Sequence, residues 1–454
     1  MAGCMDESAL TEKSVLDSYK KALNAFNAKF ELHMSIIIDE ILKRVKPTSI
    51  YLIGSFGRNE GALYLSGTRI NPIRDYDILI IVDKYIKNNV IKDIIKNINN
   101  RLALQDQHLK AFITKNFNVW ITQAELKDIN SLPLLKFYEL KKASKILWGK
   151  DIRDYIRISI QDISKYNGIL ILSGKVRGLL QQLNIYQLKR KTMPQKMINF
   201  IYECMKTNVE ISTCLSLLTK MYKPNFLLRC KEISNNFHTL FPELEEKYRI
   251  KTQMIKYAYR RLLINDDYLN DLDIWKLFSE SLQNLKIITL YYMRKAYEID
   301  INSFTDMPYV FDDSIKKLNG KVLEDLIGYY IKKFGIDSKI IREIAIRLYL
   351  KYTLLMFFLK ARKLGYRVKP KIIFMRGGNI MLKLWFLGFL LLDCIKSEFE
   401  IDAKKLNIVE RKLSEIIYVD EVYRSKDPNV KFSYLQKITV NLLDLADKVF
   451  HQKD

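Results

Sequence analysis

The spacing of apolar residues divides the chain into a mixed first third and a helical remainder. Residues 8–45 carry apolar side chains at helical spacing, so one or two helices precede the first strand. Apolar strands follow at residues 49–53 and 74–82. Residues 90–104 repeat isoleucine at helical spacing, and residues 112–122 alternate apolar and polar positions as a half-buried strand does. The first third therefore predicts a mixed α/β sheet with flanking helices.

Beyond residue 155 the apolar spacing becomes helical over long stretches, with few glycines or prolines. These stretches lie at residues 167–189, 195–221, 240–263 and 274–299. A turn-rich stretch at residues 305–313 interrupts them. The pattern predicts a mixed α/β domain over residues 1–152, a helical domain over 153–304 and a C-terminal helical domain over 305–454.

Two short segments of the first third carry candidate chemistry. Gly54 and Gly57 follow the first strand and allow a close backbone approach and positive φ, and Ser55 adds a short hydroxyl donor. On the later strand, Asp75 and Asp77 project from the same face, because side chains alternate across a strand. Two neighbouring carboxylates repel unless a cation lies between them, and Mg²⁺ prefers oxygen ligands and shares its coordination sphere with substrate phosphates. The pair therefore predicts a Mg²⁺ site.

The order of these segments adds a family resemblance. Gly54-Ser55-Phe56-Gly57-Arg58 with Glu60-Gly61, followed by Asp75-Tyr76-Asp77, resembles the nucleotidyltransferase superfamily that shares its fold with DNA polymerase β. The resemblance covers about the first third of the chain. It implies a two-metal, in-line attack on the α-phosphate of a nucleoside triphosphate, with release of pyrophosphate.

The resemblance also implies roles for single residues. Asp75 and Asp77 would hold the metals, and Gly54 and Ser55 would contact the β- and γ-phosphates, with Gly57 in the same glycine-rich turn. Arg58 would neutralise a phosphate or orient the turn, and a structural salt bridge with Glu60 or another neighbour is the alternative. The connector at residues 66–74 contains glycine, asparagine and proline, and it predicts a loop that folds over the substrate.

Members of this superfamily carry a third carboxylate on a later strand, and the matching position here is Asn118. An amide cannot serve as a general base near neutral pH. Three explanations stay open. Glu125 or Asp106 reaches the site instead, or metal coordination alone lowers the pKa of the acceptor hydroxyl, or the protein binds nucleotide without efficient transfer.

Charge favours a polyanionic partner. The chain has 75 lysines and arginines against 51 aspartates and glutamates, a net charge of +24. Such an excess attracts nucleic acid or nucleotides, although a general lysine bias would also produce it. Local basic clusters lie at residues 189–191, 362–371 and 404–412. Lys175 and Arg177 form a further basic pair on an apolar helix, and this pair either reaches the triphosphate or lies in solvent.

Cysteine, histidine and hydropathy patterns limit the classes of protein that fit this sequence. Five cysteines form an odd count without Cys-x-x-Cys spacing, which predicts a reducing, cytoplasmic setting, and four histidines form no ligand pattern. The longest apolar run, at residues 384–392, is too short to span a bilayer and predicts a buried helix, so we expect no membrane insertion.

These patterns together predict a Mg²⁺-dependent nucleotidyltransferase that uses a nucleoside triphosphate, with a small molecule, a protein side chain or an RNA end as acceptor. The alternative is a catalytically impaired protein of the same fold that binds nucleotide or RNA in a regulatory or defence role.

Overall fold

The computed structural model describes residues 7–105, 117–130, 134–190, 197–245, 249–299, 339–370, 372, 380–419 and 427–451. They belong to two compact units. Unit 1 comprises Met1–Ile163 and Met197–Leu272, and unit 2 comprises Ser164–Lys196 and Asp273–Asp454. The chain thus leaves unit 1, contributes a segment to unit 2 and returns. Residues 197–272, which the sequence assigns to a separate helical domain, belong to the same unit as the sheet. The boundary predicted near residue 305 lies outside the described residues.

Within the described residues, the strands lie in unit 1. They are β1 (Ser49–Ile53), β2 (Leu63–Ser66), β3 (Arg69–Pro72), β4 (Tyr76–Val82), β5 (Val119–Glu125), β6 (Lys145–Gly149) and β7 (Leu263–Asn265).

The helices of both units are numbered together along the chain. They are α1 (Glu7–Leu42), α2 (Gly54–Gly57), α3 (Asn88–Gln105), α4 (Leu126–Ile129), α5 (Leu135–Ala143), α6 (Tyr166–Gln182), α7 (Ile185–Lys189), α8 (Ile198–Thr219), α9 (Phe226–Asn235), α10 (Phe237–Leu240), α11 (Pro242–Glu245), α12 (Ile250–Arg260), α13 (Asp266–Asn270), α14 (Ile274–Tyr297), α15 (Lys339–Lys363), α16 (Ile380–Leu392), α17 (Ala403–Ser414) and α18 (Pro428–His451).

The larger sheet has the strand order β5-β4-β1-β6, with β4 and β5 parallel and the other pairs antiparallel. Its core face is covered by α1 and α3, because both helices bury isoleucine rows, such as Ile37, Ile41, Ile94 and Ile98, against the strands. Burying apolar area in this way is the main favourable term in folding. A mixed α/β sheet with flanking helices is therefore confirmed for the first part of the chain.

A smaller sheet has the order β3-β2-β7. The loop predicted at residues 66–74 is wrong, because β2 and β3 form an antiparallel hairpin whose turn contains Gly67 at φ +57°. Strand β7 then adds to β2 in parallel. The backbone of the hairpin is thereby paired on both sides of β2 and holds residues 263–265 within unit 1.

Unit 2 is mostly helical in its described part, as the sequence predicts. Helix α16 is buried along its whole length, and Gly388 lets it approach α6, since a Cβ there would lie 2.7 Å from Val176 Cγ1. Arg177 forms ion pairs with Asp444 at 3.4 Å and Asp447 at 2.8 Å, a structural role within unit 2. Among the described helices, none is long and apolar enough to cross a membrane.

Candidate active site

The glycine turn after β1 lies directly against the second aspartate of β4. The antiparallel register pairs Ile53, the last residue of β1, with Asp77. Gly54 follows at φ +66°, and a Cβ on it would lie 2.2 Å from Asp77 Oδ2. Only glycine combines that backbone conformation with so close an approach. Two segments more than twenty positions apart thus form one site, and the half-buried Ser55 lies at its start.

Asp75 lies just before β4 and is held by two donors. Its Oδ1 accepts a hydrogen bond from the Asn118 backbone N–H at 2.9 Å, and its Oδ2 accepts one from Trp120 Nε1 at 2.7 Å. Tyr76 points to the other face and is fully buried in the core of unit 1. The alternation of β4 therefore places both aspartates on the face away from α1 and α3.

Asn118 directs its side chain away from the aspartates. Its Oδ1 accepts hydrogen bonds from Asn99 Nδ2 of α3 at 2.9 Å and from the Val119 N–H at 2.8 Å. The β5 residue that pairs with Asp77 is Trp120, whose side chain is 53% exposed. The indole, rather than a carboxylate or the predicted amide, lies beside the two aspartates.

The explanation that Glu125 supplies the third carboxylate is wrong. Glu125 pairs with Val82 at the far end of β4, about 17 Å along the strand from Asp77 at the usual rise per residue. Its carboxylate forms an ion pair with Lys127 and accepts a hydrogen bond from the Tyr85 N–H at 3.3 Å. Asp106 lies outside the described residues.

Burial makes the two aspartates unusually weak acids. It raises the pKa of Asp77 to about 6, and the nearby Asp75 adds to the rise, while the charges of Lys206, Arg58 and Arg74 oppose it. Burial also raises the pKa of Asp75, against the effects of Arg74 and of its hydrogen bonds. In the described part of the chain, no donor bonds to the Asp77 carboxylate. The anionic pair is therefore incompletely compensated by the protein.

Helix α8 brings charges to this site that the sequence did not point to. Lys206 is half-buried, and its charge favours the ionised forms of both aspartates. One turn earlier, the buried Glu203 forms an ion pair with Arg74, whose guanidinium lies 4.9 Å from the ring centroid of Tyr202. The helix is readable from its periodicity, but no local signal shows that its charges lie near Arg74 and the aspartates, more than a hundred positions earlier in the chain.

Gly57 and Arg58, both predicted to bind nucleotide, instead make packing contacts within unit 1. A Cβ on Gly57 would lie 2.5 Å from the Leu52 carbonyl oxygen, so this glycine allows α2 to pack on β1. The Arg58 side chain is 8% exposed and pairs with Glu60 at 3.5 Å and Glu139 at 3.2 Å. This is the structural salt bridge that the sequence left open as the alternative.

Glu60 is the centre of that buried network. Its Oε1 accepts a hydrogen bond from the Leu227 N–H in the first turn of α9 at 3.0 Å and lies 3.6 Å from Arg261 Nη2. The guanidinium groups of Arg58, Arg229 and Arg261 all lie within 4.6 Å of the Phe226 ring centroid. The Arg-x-Glu part of the motif therefore fixes the glycine turn to the helices that follow α8.

The donor set suits one divalent cation that also binds phosphate. Mg²⁺ is commonly held by one or two carboxylates together with substrate phosphates and water. Asp75 and Asp77 provide two carboxylates on one face, and burial, which raises the pKa of each, disfavours their anionic forms unless a cation compensates them. Over the described residues there is no group of three or more histidine, cysteine, aspartate or glutamate side chains that could hold a metal ion.

Comparisons of the chain with protein-family models, with curated proteins and with solved structures found no match.

Proposed function

We propose that unit 1 is a Mg²⁺-dependent nucleotidyltransferase with a DNA polymerase β-like fold. It transfers a nucleoside monophosphate from a nucleoside triphosphate to an acceptor that is an RNA end, a protein side chain or a small molecule. The observation that carries this proposal is the contact of Gly54 with Asp77. A positive-φ glycine turn, suited to a close phosphate approach, lies directly against Asp77, and Asp75 lies on the same face just before the same strand, so cation ligands and a phosphate-binding turn adjoin.

In this proposal each side chain has a defined task. Asp75 and Asp77 hold Mg²⁺, which when bound neutralises phosphate charge and lowers the pKa of a coordinated hydroxyl. The Ser55 hydroxyl, which has no partner among the described side chains, donates to the β- or γ-phosphate. Lys206 offsets the remaining negative charge. The acceptor oxygen bonds to the α-phosphorus, the bond to the bridging oxygen breaks, pyrophosphate leaves with its electron pair, and the hydroxyl proton passes to solvent.

The second candidate is a protein that binds nucleotide without transferring it. It is favoured by Asn118, whose amide bonds to Asn99, and by Trp120, which occupies the position beside Asp77. Neither side chain accepts a proton from an attacking hydroxyl near neutral pH.

The test incubates the full chain with each α-labelled triphosphate, Mg²⁺ and a cellular extract. Label transfer and pyrophosphate release are measured together with binding of a nonhydrolysable triphosphate. The variant Asp75→Ala/Asp77→Ala should lose all three signals. Asp83→Ala removes an exposed aspartate that follows β4 and should retain them.

The outcomes separate the candidates. Transfer by the wild type and by Asp83→Ala supports the enzyme, and Mg²⁺-dependent binding without transfer supports the second candidate. Neither binding nor transfer would overturn both. Lys206→Met should weaken triphosphate binding roughly tenfold or more, because a charge-assisted hydrogen bond contributes about 1.5–3 kcal/mol.

A further inference from the structure

Two basic clusters that are distant in sequence meet in unit 2. Residues 367–369 pair with residues 416–418 through an antiparallel bridge between Val368 and Ile417. Hydrogen bonds from the Lys369 N–H to the Ile416 oxygen at 3.0 Å and from the Tyr418 N–H to the Arg367 oxygen at 2.8 Å extend the pairing. The pairing brings Arg367 and Lys369 of the first cluster to the segment that follows α17, the helix that carries the second cluster.

An exposed aromatic ring stands at the centre of this meeting point. The Tyr418 side chain is 52% exposed, and its ring centroid lies 5.0 Å from Lys369 Nζ and 5.7 Å from the Arg367 guanidinium carbon. Large aromatic side chains are usually more buried than this, and an exposed one flanked by cations is suited to stacking against a planar ligand.

The ring borders a cleft of 580 Å³ whose charge is positive. Its lining includes Tyr418, Lys369, Arg411, Glu410 and Lys431. Glu410 is neutralised by Lys431 at 2.5 Å. Lys369 and Arg411 have no carboxylate within ion-pair distance in the described ranges, so their charges are available to a ligand.

We propose that this cleft binds single-stranded nucleic acid. A base stacks on Tyr418, and the adjoining phosphates lie against Lys369, Arg367 and Arg411. The combination of a stacking ring with a basic groove is what sequence-tolerant recognition of single strands requires. An acidic peptide would use the cations but would leave the exposed ring without a function. The site is separate from the aspartates of unit 1, and the proposal does not depend on nucleotidyl transfer.

The test measures fluorescence anisotropy of short oligo(dT) and oligo(U) with the full chain, without triphosphate or Mg²⁺. Tyr418→Ala should weaken binding about tenfold, since stacking contributes about 1–3 kcal/mol per base, and Tyr418→Phe should retain it. Lys369→Gln/Arg411→Gln should reduce the slope of log affinity against log salt by about 1.4, because each phosphate contact on a single strand contributes about 0.7.

Matched controls come from α14 and α15 in the same unit. Lys276→Gln/Lys351→Gln removes two positive charges from exposed positions outside both basic clusters, and Tyr352→Ala removes a ring that is 61% exposed. An abasic oligonucleotide should bind the wild type and Tyr418→Ala equally. The proposal is overturned if the control variants lose as much affinity as the cleft variants, if polyglutamate competes as well as oligo(dT), or if the wild type binds neither oligonucleotide.

Discussion

Replacing Asp77 with asparagine should stabilise the protein in the absence of ligands. A rise in pKa from 3.8 to about 6 means that the folded state binds the proton more tightly than the unfolded chain does. Between about pH 4 and pH 6 the folded state therefore carries more protons, and the stability of the wild type falls as the pH rises through this window. The amide of the Asp77→Asn variant never ionises, so the variant escapes this loss.

The magnitude follows from the same pKa values. A difference between 3.8 and about 6 corresponds to at most about 3 kcal/mol once the carboxyl is fully ionised. Asp77→Asn should match the wild type near pH 4 and exceed its free energy of unfolding by up to that amount near pH 8. Saturating Mg²⁺ with a nonhydrolysable triphosphate should stabilise the wild type. The same ligands should leave the stability of the variant unchanged, because the variant lacks the carboxylate that would bind the cation.

The assay is urea unfolding of both proteins across a pH series. Asp151→Asn serves as a control of opposite sign in the same unit, since hydrogen bonds from Arg153 hold the pKa of Asp151 at about 2. That variant should be less stable than the wild type at neutral pH, and its deficit should vanish as the pH falls through about 2. A pH-independent difference for Asp77→Asn, or a loss of stability near pH 8, would contradict a raised pKa at Asp77 in the folded state.

Two further substitutions test the geometry of the site. Gly54→Ala places a side chain at φ +66° and 2.2 Å from Asp77 Oδ2. The variant should lose Mg²⁺-dependent stabilisation and about 1–3 kcal/mol of stability, measured by denaturation with and without Mg²⁺. Gly67→Ala has the same positive φ but lies in open space, so an equal effect of Mg²⁺ on both variants would contradict a role for the Gly54–Asp77 contact. Trp120→Phe removes the donor to Asp75 Oδ2, so the pKa of Asp75 should rise further in a titration followed by carboxyl NMR; an unchanged pKa would show that the hydrogen bond is not formed in solution.

The local features of this protein can be read from its amino-acid sequence. The alternation of Phe117, Val119 and Ile121 predicted a core-facing strand, and all three are buried. The positions of Asp75 and Asp77 on one face follow from the period of two along a strand, and the spacing of isoleucines predicted α3. These features depend on neighbours within a few residues, so a one-dimensional pattern contains them.

The surroundings of Asp75 and Asp77 depend on tertiary packing. The direction of the Asn118 amide toward α3, the indole of Trp120 beside Asp77 and the arrival of Lys206 from α8 each depend on how distant segments pack. The same holds for Arg58. The motif suggested that its guanidinium binds a phosphate, but in the folded unit it is buried and forms an ion pair with Glu60. Packing chooses among partners by burial and shape over the whole unit, and that choice is not encoded in the spacing of any single segment.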